Sequence, residues 1–249
     1  MVQSRASFPR IIAHRGSPRA APENTLASFR KAAAEGAAWV EFDASLTLDN
    51  RVVVFHDDDL DRTSDGSGPL AQMTFDALQG LDAGSWFAPA FKGEMIPTLE
   101  EAIELFAEVG LGFNIELKTD PGREVELAEV ALPIAAECWR PDLPVPVISS
   151  FSRQAVAAAK EILPEWPRAM LFDRLPEDWR SVGKALDAVS INLSQRHLTR
   201  EQVMEVRGAG YAVMAYTVNE PDRAQTLFSW GVDAIFTDLP GEMLRQVGK

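Results

Sequence analysis

Residues 40–56 read Val-Glu-Phe-Asp-Ala-Ser-Leu-Thr-Leu-Asp-Asn-Arg-Val-Val-Val-Phe-His, and this stretch decides the fold. It holds the ends of two β-type runs, Ala38–Thr47 and Arg51–His56, with only Leu48-Asp49-Asn50 between them. Three residues cannot form a helical crossover but suit a hairpin turn, so the second run returns antiparallel to the first. Working outward, the other β-type runs are Arg10–His14, Gly112–Lys118, Pro146–Phe151, Arg168–Phe172, Ala188–Asn192, Ala212–Thr217 and Asp233–Thr237. Helical patterns fill most of the gaps: Asn24–Glu35, Thr98–Val109, Glu124–Glu137, Arg153–Ile162, Arg200–Ala209 and Pro221–Trp230. Strands alternating with helices imply an α/β fold with parallel pairing. Nine β runs are one too many for an eight-stranded barrel; the hairpin accounts for the surplus. The expectation is a TIM (β/α)8 barrel with a hairpin at its mouth, for which 249 residues is the usual length.

One stretch breaks the alternation. Residues 57–97 carry Asp57-Asp58-Asp59, Asp65-Gly66-Ser67-Gly68-Pro69 and Gly84-Ser85-Trp86-Phe87. Turn signals and aromatics just after a strand end are expected of a small insertion over the C-terminal face of the barrel, where it would cover a substrate. Thr98-Leu99-Glu100-Glu101 has the spacing of a capping box and restarts the helical pattern. No repeat and no linker interrupts the chain, so residues 1–249 are read as a single catalytic barrel domain.

Lys and Arg total 24 against 37 for Asp and Glu, a formal charge of −13. That balance argues against nucleic acid as a partner and against stable association with an anionic membrane. An anionic ligand must instead be captured by a local cationic site. Cys138 is the only cysteine, which excludes an intrachain disulfide, and it reads as a buried structural thiol. Met1–Arg10 has two arginines and no apolar run of signal-peptide length, and no window is apolar enough to span a membrane. A cytoplasmic location is expected. Composition leaves the oligomeric state open.

Chemistry concentrates at the strand ends. Alternation puts Glu41 and Asp43 on one face of their strand, with Val40, Phe42 and Ala44 on the other. If the apolar set faces the helices, two carboxylates point into the barrel, where they repel unless a cation or a shared proton intervenes. Asn114, Glu116 and Lys118 repeat the arrangement one strand along, so three carboxylates converge; a Glu116–Lys118 ion pair is the competing account. Oxygen-only donors select one hard divalent cation, Mg²⁺ or Ca²⁺. Two of the three histidines, His14 and His56, also end strands. With Asp49-Asn50 at the hairpin apex, His56 is expected opposite Asp43, and His14 borders the same site from the neighbouring strand. Two imidazoles flanking a metal suit general acid–base work. His197 lacks such company and reads as surface. A divalent ion on three carboxylates, with Arg15 and Lys118 added, gives a site that neutralises a monoanion such as a phosphodiester.

The chain resembles the glycerophosphodiester phosphodiesterase family over nearly its whole length. The resemblance is carried by His14-Arg15-Gly16, Pro22-Glu23-Asn24-Thr25, Glu41-Phe42-Asp43, Val54-Phe55-His56-Asp57, Leu60-Asp61-Arg62-Thr63, Ile96-Pro97-Thr98-Leu99-Glu100-Glu101, Asn114-Ile115-Glu116-Leu117-Lys118 and Thr217-Val218-Asn219. It implies a TIM-barrel hydrolase of the bacterial cytoplasmic type that converts small glycerophosphodiesters to sn-glycerol 3-phosphate and an alcohol. By position, it implies that Glu41, Asp43 and Glu116 hold the metal, His14 and His56 are the acid–base pair, and Arg15 and Lys118 contact phosphate. A route through a cyclic phosphate, with the glycerol hydroxyl attacking first, stays open. Tyr216 stands where the family usually has Trp before Thr-Val-Asn, giving the pocket an aromatic wall with a hydroxyl. Trp86 is a further substrate-contact candidate. Trp86, Phe87, Phe91 and Met95 would also form the apolar rim that a related phospholipase D-like activity on lysophospholipids needs, although packing within the insertion is the alternative for them. A barrel that only binds phosphate esters is disfavoured, since binding alone needs neither histidine.

Overall fold

Strand β2, Trp39–Leu46, is buried along its whole length. It can be so because its two faces meet different environments. Val40, Phe42 and Ala44 join an apolar layer with the surrounding helices, where Phe42 packs against Phe29, Phe106 and Phe113 at ring separations of 6.3, 5.3 and 5.8 Å. Glu41 and Asp43 therefore face the lumen. In the computed structural model, which describes residues 8–248, β2 pairs in parallel with β1 (Ile11–His14) and, beyond Val52–Val54 in the chain, with Gly112–Leu117. Calling Val52–Val54 β3 and Gly112–Leu117 β4, the ring continues through Val147–Ser150 (β5), Arg168–Phe172 (β6), Ser190–Ser194 (β7), Ala212–Tyr216 (β8) and Ala234–Thr237 (β9), and β9 returns to β1. Among the described residues, eight parallel strands close into a TIM barrel, with β3 antiparallel to β2 outside the ring. Most of the opening segment Met1–Arg10 lies outside the described residues, and no helix among them is long and apolar enough to cross a membrane.

The lumen has its own core of Ile12, Trp39, Val147, Ala169, Met214, Ala234 and Phe236. Gly112 is part of that packing, because the Trp39 indole occupies the space a Cβ would need. Outside the ring, Leu26–Ala34 (α1) and Leu99–Val109 (α2) cover β2 from behind. Thr98 and Glu101 close the expected capping box on α2: Thr98 Oγ accepts from the Glu101 N–H at 3.2 Å and Glu101 accepts from the Thr98 N–H at 2.9 Å. The insertion forms a small core of Leu60, Leu70, Leu78, Ala83 and Ile96 over Val53 and Phe55.

Several boundaries differ from the sequence reading, each for a physical reason. The hairpin pairs Ala44 with Val54, and the Phe55 N–H donates to the Asp43 carbonyl at 3.0 Å. Phe55, not His56, therefore stands opposite Asp43, and His56 leaves the ladder to reach the lumen from its rim. Strand β7 runs to Ser194 instead of stopping at Asn192. Its polar residues Ser190, Asn192 and Ser194 alternate with Ile191 and Leu193, which pack outward, so polar character did not mark an end. Helices Trp179–Ala185 and Pro240–Val247 were not anticipated; each contains a glycine, Gly183 or Gly241, that reads as a breaker. Both glycines sit against a neighbour, Tyr211 and Glu35 respectively. Cys138 ends the helix Glu124–Cys138 and is only half-buried.

A Cβ at position 112 would lie 2.6 Å from the Trp39 ring. Gly112→Ala should therefore destabilise the protein by about 1–3 kcal/mol, the usual cost of overpacking. Chemical denaturation should show a lower midpoint with an unchanged slope; an unaltered midpoint would mean that Trp39 has room to move.

Candidate active site

Parallel pairing places His14 beside Glu41, and Asp43 beside Glu116, at one level of the barrel mouth. Oxygen atoms of Glu41, Asp43 and Glu116 lie within 4.8 Å of one another, so the three carboxylates do converge. Burial, reinforced by the Asp43 and Glu116 charges, drives the Glu41 carboxyl well above the usual carboxylate range. Burial and then Asp43 push Glu116 up to about 7. Asp43 moves the other way: burial opposes its charge, but Arg15, His56 and Lys118 outweigh that and the Asn24 amide donates to it at 2.8 Å. Glu41 Oε1 and Asp43 Oδ1 are buried without any hydrogen-bond partner. Buried carboxylate oxygens left bare toward one another are what a cation site requires, and an all-oxygen donor set fits a divalent ion.

The loop after β1 supplies the cationic side. Arg15 has φ 55° and Gly16 φ 94°, both in the left-handed region. A side chain at Gly16 would collide with Ser28, whose hydroxyl accepts from the Ser17 N–H and donates to the Arg15 carbonyl. The first turn of α1 thus clamps the loop. Arg15 is turned inward, with its guanidinium 3.2 Å from Asp43 and donating to Glu23 at 2.9 Å. Burial works against its charge, but Asp43, Glu23 and Glu41 hold its pKa above the ordinary guanidinium value. Lys118 follows β4 and lies 3.2 Å from Glu116, so the ion pair weighed as a competing account coexists with the carboxylate cluster.

Each imidazole at the site has a carboxylate behind it. His14 Nδ1 donates to Asp238 at 2.7 Å, which leaves Nε2 facing the cluster, 3.9 Å from Glu41. Asp238 is fixed in turn by the Asn219 amide at 2.6 Å. His56 Nδ1 donates to Asp57 at 2.6 Å, while Lys118 Nζ lies 3.3 Å from Nε2. An ammonium can only donate, so Nε2 accepts and His56 is a neutral imidazole with its proton on Nδ1. Burial is the main cause that holds its pKa below the ordinary value, with Arg15 and Lys118 adding to it against the pull of Asp43.

A cavity of about 140 Å³ is lined by His14, Glu41, His56, Glu116, Lys118 and Tyr216, among others. A second cavity of about 450 Å³ opens beside it, walled by His14, Arg15, Glu23, Arg62, Trp86 and Phe87. Tyr216 and Trp86 thus line different cavities, with His14 bordering both. Trp86 and Met95 are 40% and 43% exposed, so these two are not packed into the insertion's core. His197 lines neither cavity; it lies 3.7 Å from the exposed Asp173. Sequence reasoning missed Asp238. It stands just past β9, at the C-terminal end of a barrel strand where site residues collect, but nothing local ties it to His14. Asn24, Asp57, Arg62 and Asn219 stood within quoted motifs but had no role assigned.

Comparison with known proteins gives a consistent result. Residues 14–242 match the glycerophosphoryl diester phosphodiesterase family. A glycerophosphodiester phosphodiesterase of Caldanaerobacter subterraneus subsp. tengcongensis is 33% identical over 244 residues, covering 96% of this chain and 98% of its own length. A phosphodiesterase from Oleispira antarctica, solved in complex with the product sn-glycerol-3-phosphate, is 39% identical with a TM-score of 0.94 and covers 97% of this chain and 98% of its own. A glycerophosphodiester phosphodiesterase from Agrobacterium tumefaciens is 30% identical with a TM-score of 0.78, covering 96% and 100% of the two chains. The match begins at His14, the first residue of the site, and runs through the last barrel strand: the chain belongs to the glycerophosphoryl diester phosphodiesterase family.

Proposed function

We propose that this protein hydrolyses glycerophosphodiesters to sn-glycerol 3-phosphate and an alcohol, in a reaction that depends on a divalent cation, Mg²⁺ or Ca²⁺. The observation that carries the reading is the pair of imidazoles, each backed by a carboxylate, on either flank of three converging acids with two bare oxygens. Glu41, Asp43 and Glu116 would hold the ion. When bound, it supplies positive charge that stabilises the phosphoryl oxygens in the transition state.

The remaining work falls to the chain itself. Arg15 and Lys118 face the same cavity with fixed positive charge and bind the phosphate oxygens, Arg15 by a planar fork and Lys118 as a point charge. His56, neutral with a lone pair on Nε2, accepts the proton of the attacking oxygen. His14, oriented by Asp238, delivers a proton to the departing alcohol. Tyr216 and Trp86 wall the two cavities and contact the organic parts of the substrate on either side. The insertion over residues 57–97 completes the mouth through Trp86 and Phe87, and the whole chain acts as one catalytic unit. The two cavities suit a small diester, and the setting proposed for the reaction is the cytoplasm.

Four outcomes are expected. Exhaustive chelation should abolish choline release from glycerophosphocholine, and Mg²⁺ or Ca²⁺ should restore it; full turnover without metal would overturn the cation's role. The same assay with lysophosphatidylcholine should show much lower activity, whereas preference for the acylated substrate would assign the exposed Trp86 and Met95 rim to a lipid chain.

His14→Ala and His56→Ala should each lower kcat by about 100-fold or more, the scale of general acid–base catalysis. A double variant that keeps substantial turnover would remove both from proton transfer.

Because the acceptor is His56 in its neutral form, and its pKa lies below 6.5, kcat/KM should persist below pH 6.5 and fall on further acidification. At saturating Mg²⁺, which keeps Glu41 and Glu116 ionised, an acid limb above 6.5 would contradict the neutral resting state.

A further inference from the structure

Arg62 lies in the first turn of the insertion, Leu60–Arg62, away from the barrel strands. Its guanidinium nevertheless reaches the carboxylates behind both halves of the site. It donates to Asp57 through Nε and Nη2, the latter at 2.8 Å, and to Glu23 through Nη1 and Nη2, both at 2.8 Å. Asp57 is the acceptor for His56 Nδ1, and Glu23 is the acceptor for Arg15. Among the described residues, the Asp57 carboxylate has no hydrogen-bond partner besides His56 and Arg62. A continuous chain of charge-assisted contacts therefore runs from His56 through Asp57, Arg62, Glu23 and Arg15 to Asp43.

We propose that Arg62 is a positioning residue: its planar fork joins Asp57 to Glu23 and so fixes, as one unit, the imidazole of His56 and the guanidinium of Arg15. This rests on the roles given to those two residues above. The physical argument is that Asp57 and Glu23 are like charges drawn to one point. Without a cation between them they repel, and each has a second partner that would follow it. Lysine could not replace the arginine, since a single ammonium cannot present parallel N–H bonds to two carboxylates at once. His14 offers a built-in contrast, because its carboxylate, Asp238, is fixed by the neutral Asn219 amide and does not touch Arg62.

The test uses the metal-supplied enzyme with glycerophosphocholine, together with imidazole ¹⁵N–¹H spectra, which are simple because the chain has only three histidines. In Arg62→Ala the kcat should fall about 10- to 100-fold, since a displacement of about 1 Å at a reacting group costs on that order. The His56 Nδ1 signal should shift or broaden while those of His14 and His197 stay in place. Arg62→Lys, which preserves the charge and spares the fold, should show the same selective change at His56 to a smaller degree. In the Asp57→Asn background the further loss of Arg62 should cost kcat less than it does in the wild type, the remaining loss coming from the Glu23–Arg15 arm. Unchanged kcat with an unchanged His56 signal would overturn the proposal. So would His14 and His56 moving together with a lowered thermal midpoint, which would make Arg62 a general structural residue. If the wild-type protein fails to cleave glycerophosphocholine at all, the functional reading falls, and the selective response of His56 still decides the positioning role.

Discussion

Three carboxylates, two of them buried and the third half-buried, meet at one level of a barrel and constrain everything around them. Like charges in a low-dielectric lumen cannot all be ionised unless opposite charge is brought to them. The chain answers with cations on two sides, Arg15 from the loop after β1 and Lys118 from the end of β4, each within 3.2 Å of a cluster carboxylate. Bringing Arg15 there requires left-handed backbone at a non-glycine residue, which costs energy that the clamp from α1 offsets. The same left-handed geometry recurs at Asn24, whose amide reaches Asp43. Left-handed backbone at Arg15 and Asn24 thus brings polar side chains onto Asp43.

The division of labour between the two faces of β2 follows from the same constraint. Behind the strand, Phe29, Phe42, Phe106 and Phe113 pack edge-on and tilted, with ring centres 5.0 to 6.3 Å apart. Such a wall leaves β2 little freedom to shift. Repulsion between Glu41 and Asp43 on the opposite face therefore cannot relax by moving backbone. It must be met by charge, which keeps the donor oxygens close together.

Most of this was legible in the sequence because periodicity is direct. Alternation along Val40–Ala44 assigned faces, and the three-residue gap at Leu48-Asp49-Asn50 identified the odd strand. What was not legible depended on distances set by tertiary packing. Hairpin register was off by one, since the apex alone does not say which residue pairs across it, and His56 reaches the lumen by leaving the ladder. Asp238 was overlooked because its partner His14 is 224 positions away, and no local pattern marks such a pair. Strand β7 continues past Asn192 because Ser194, like Ser190 and Asn192, alternates with outward-packed Ile191 and Leu193, and a barrel lumen accepts polar side chains where hydrogen bonds are available. The helices carrying Gly183 and Gly241 were missed because close approach to Tyr211 and Glu35 is invisible along the chain.

The pairing of His14 with Asp238 has a temporal meaning as well. These groups come from the first and the last strands of the ring, so their bond is among the most non-local in the molecule. During synthesis, a growing chain that has passed Lys118 already contains all three acids and both histidines. It lacks the carboxylate that orients His14, and it lacks the strand that closes the barrel against β1. The carboxylate behind His14 and the strand that closes the ring therefore arrive together, late in synthesis.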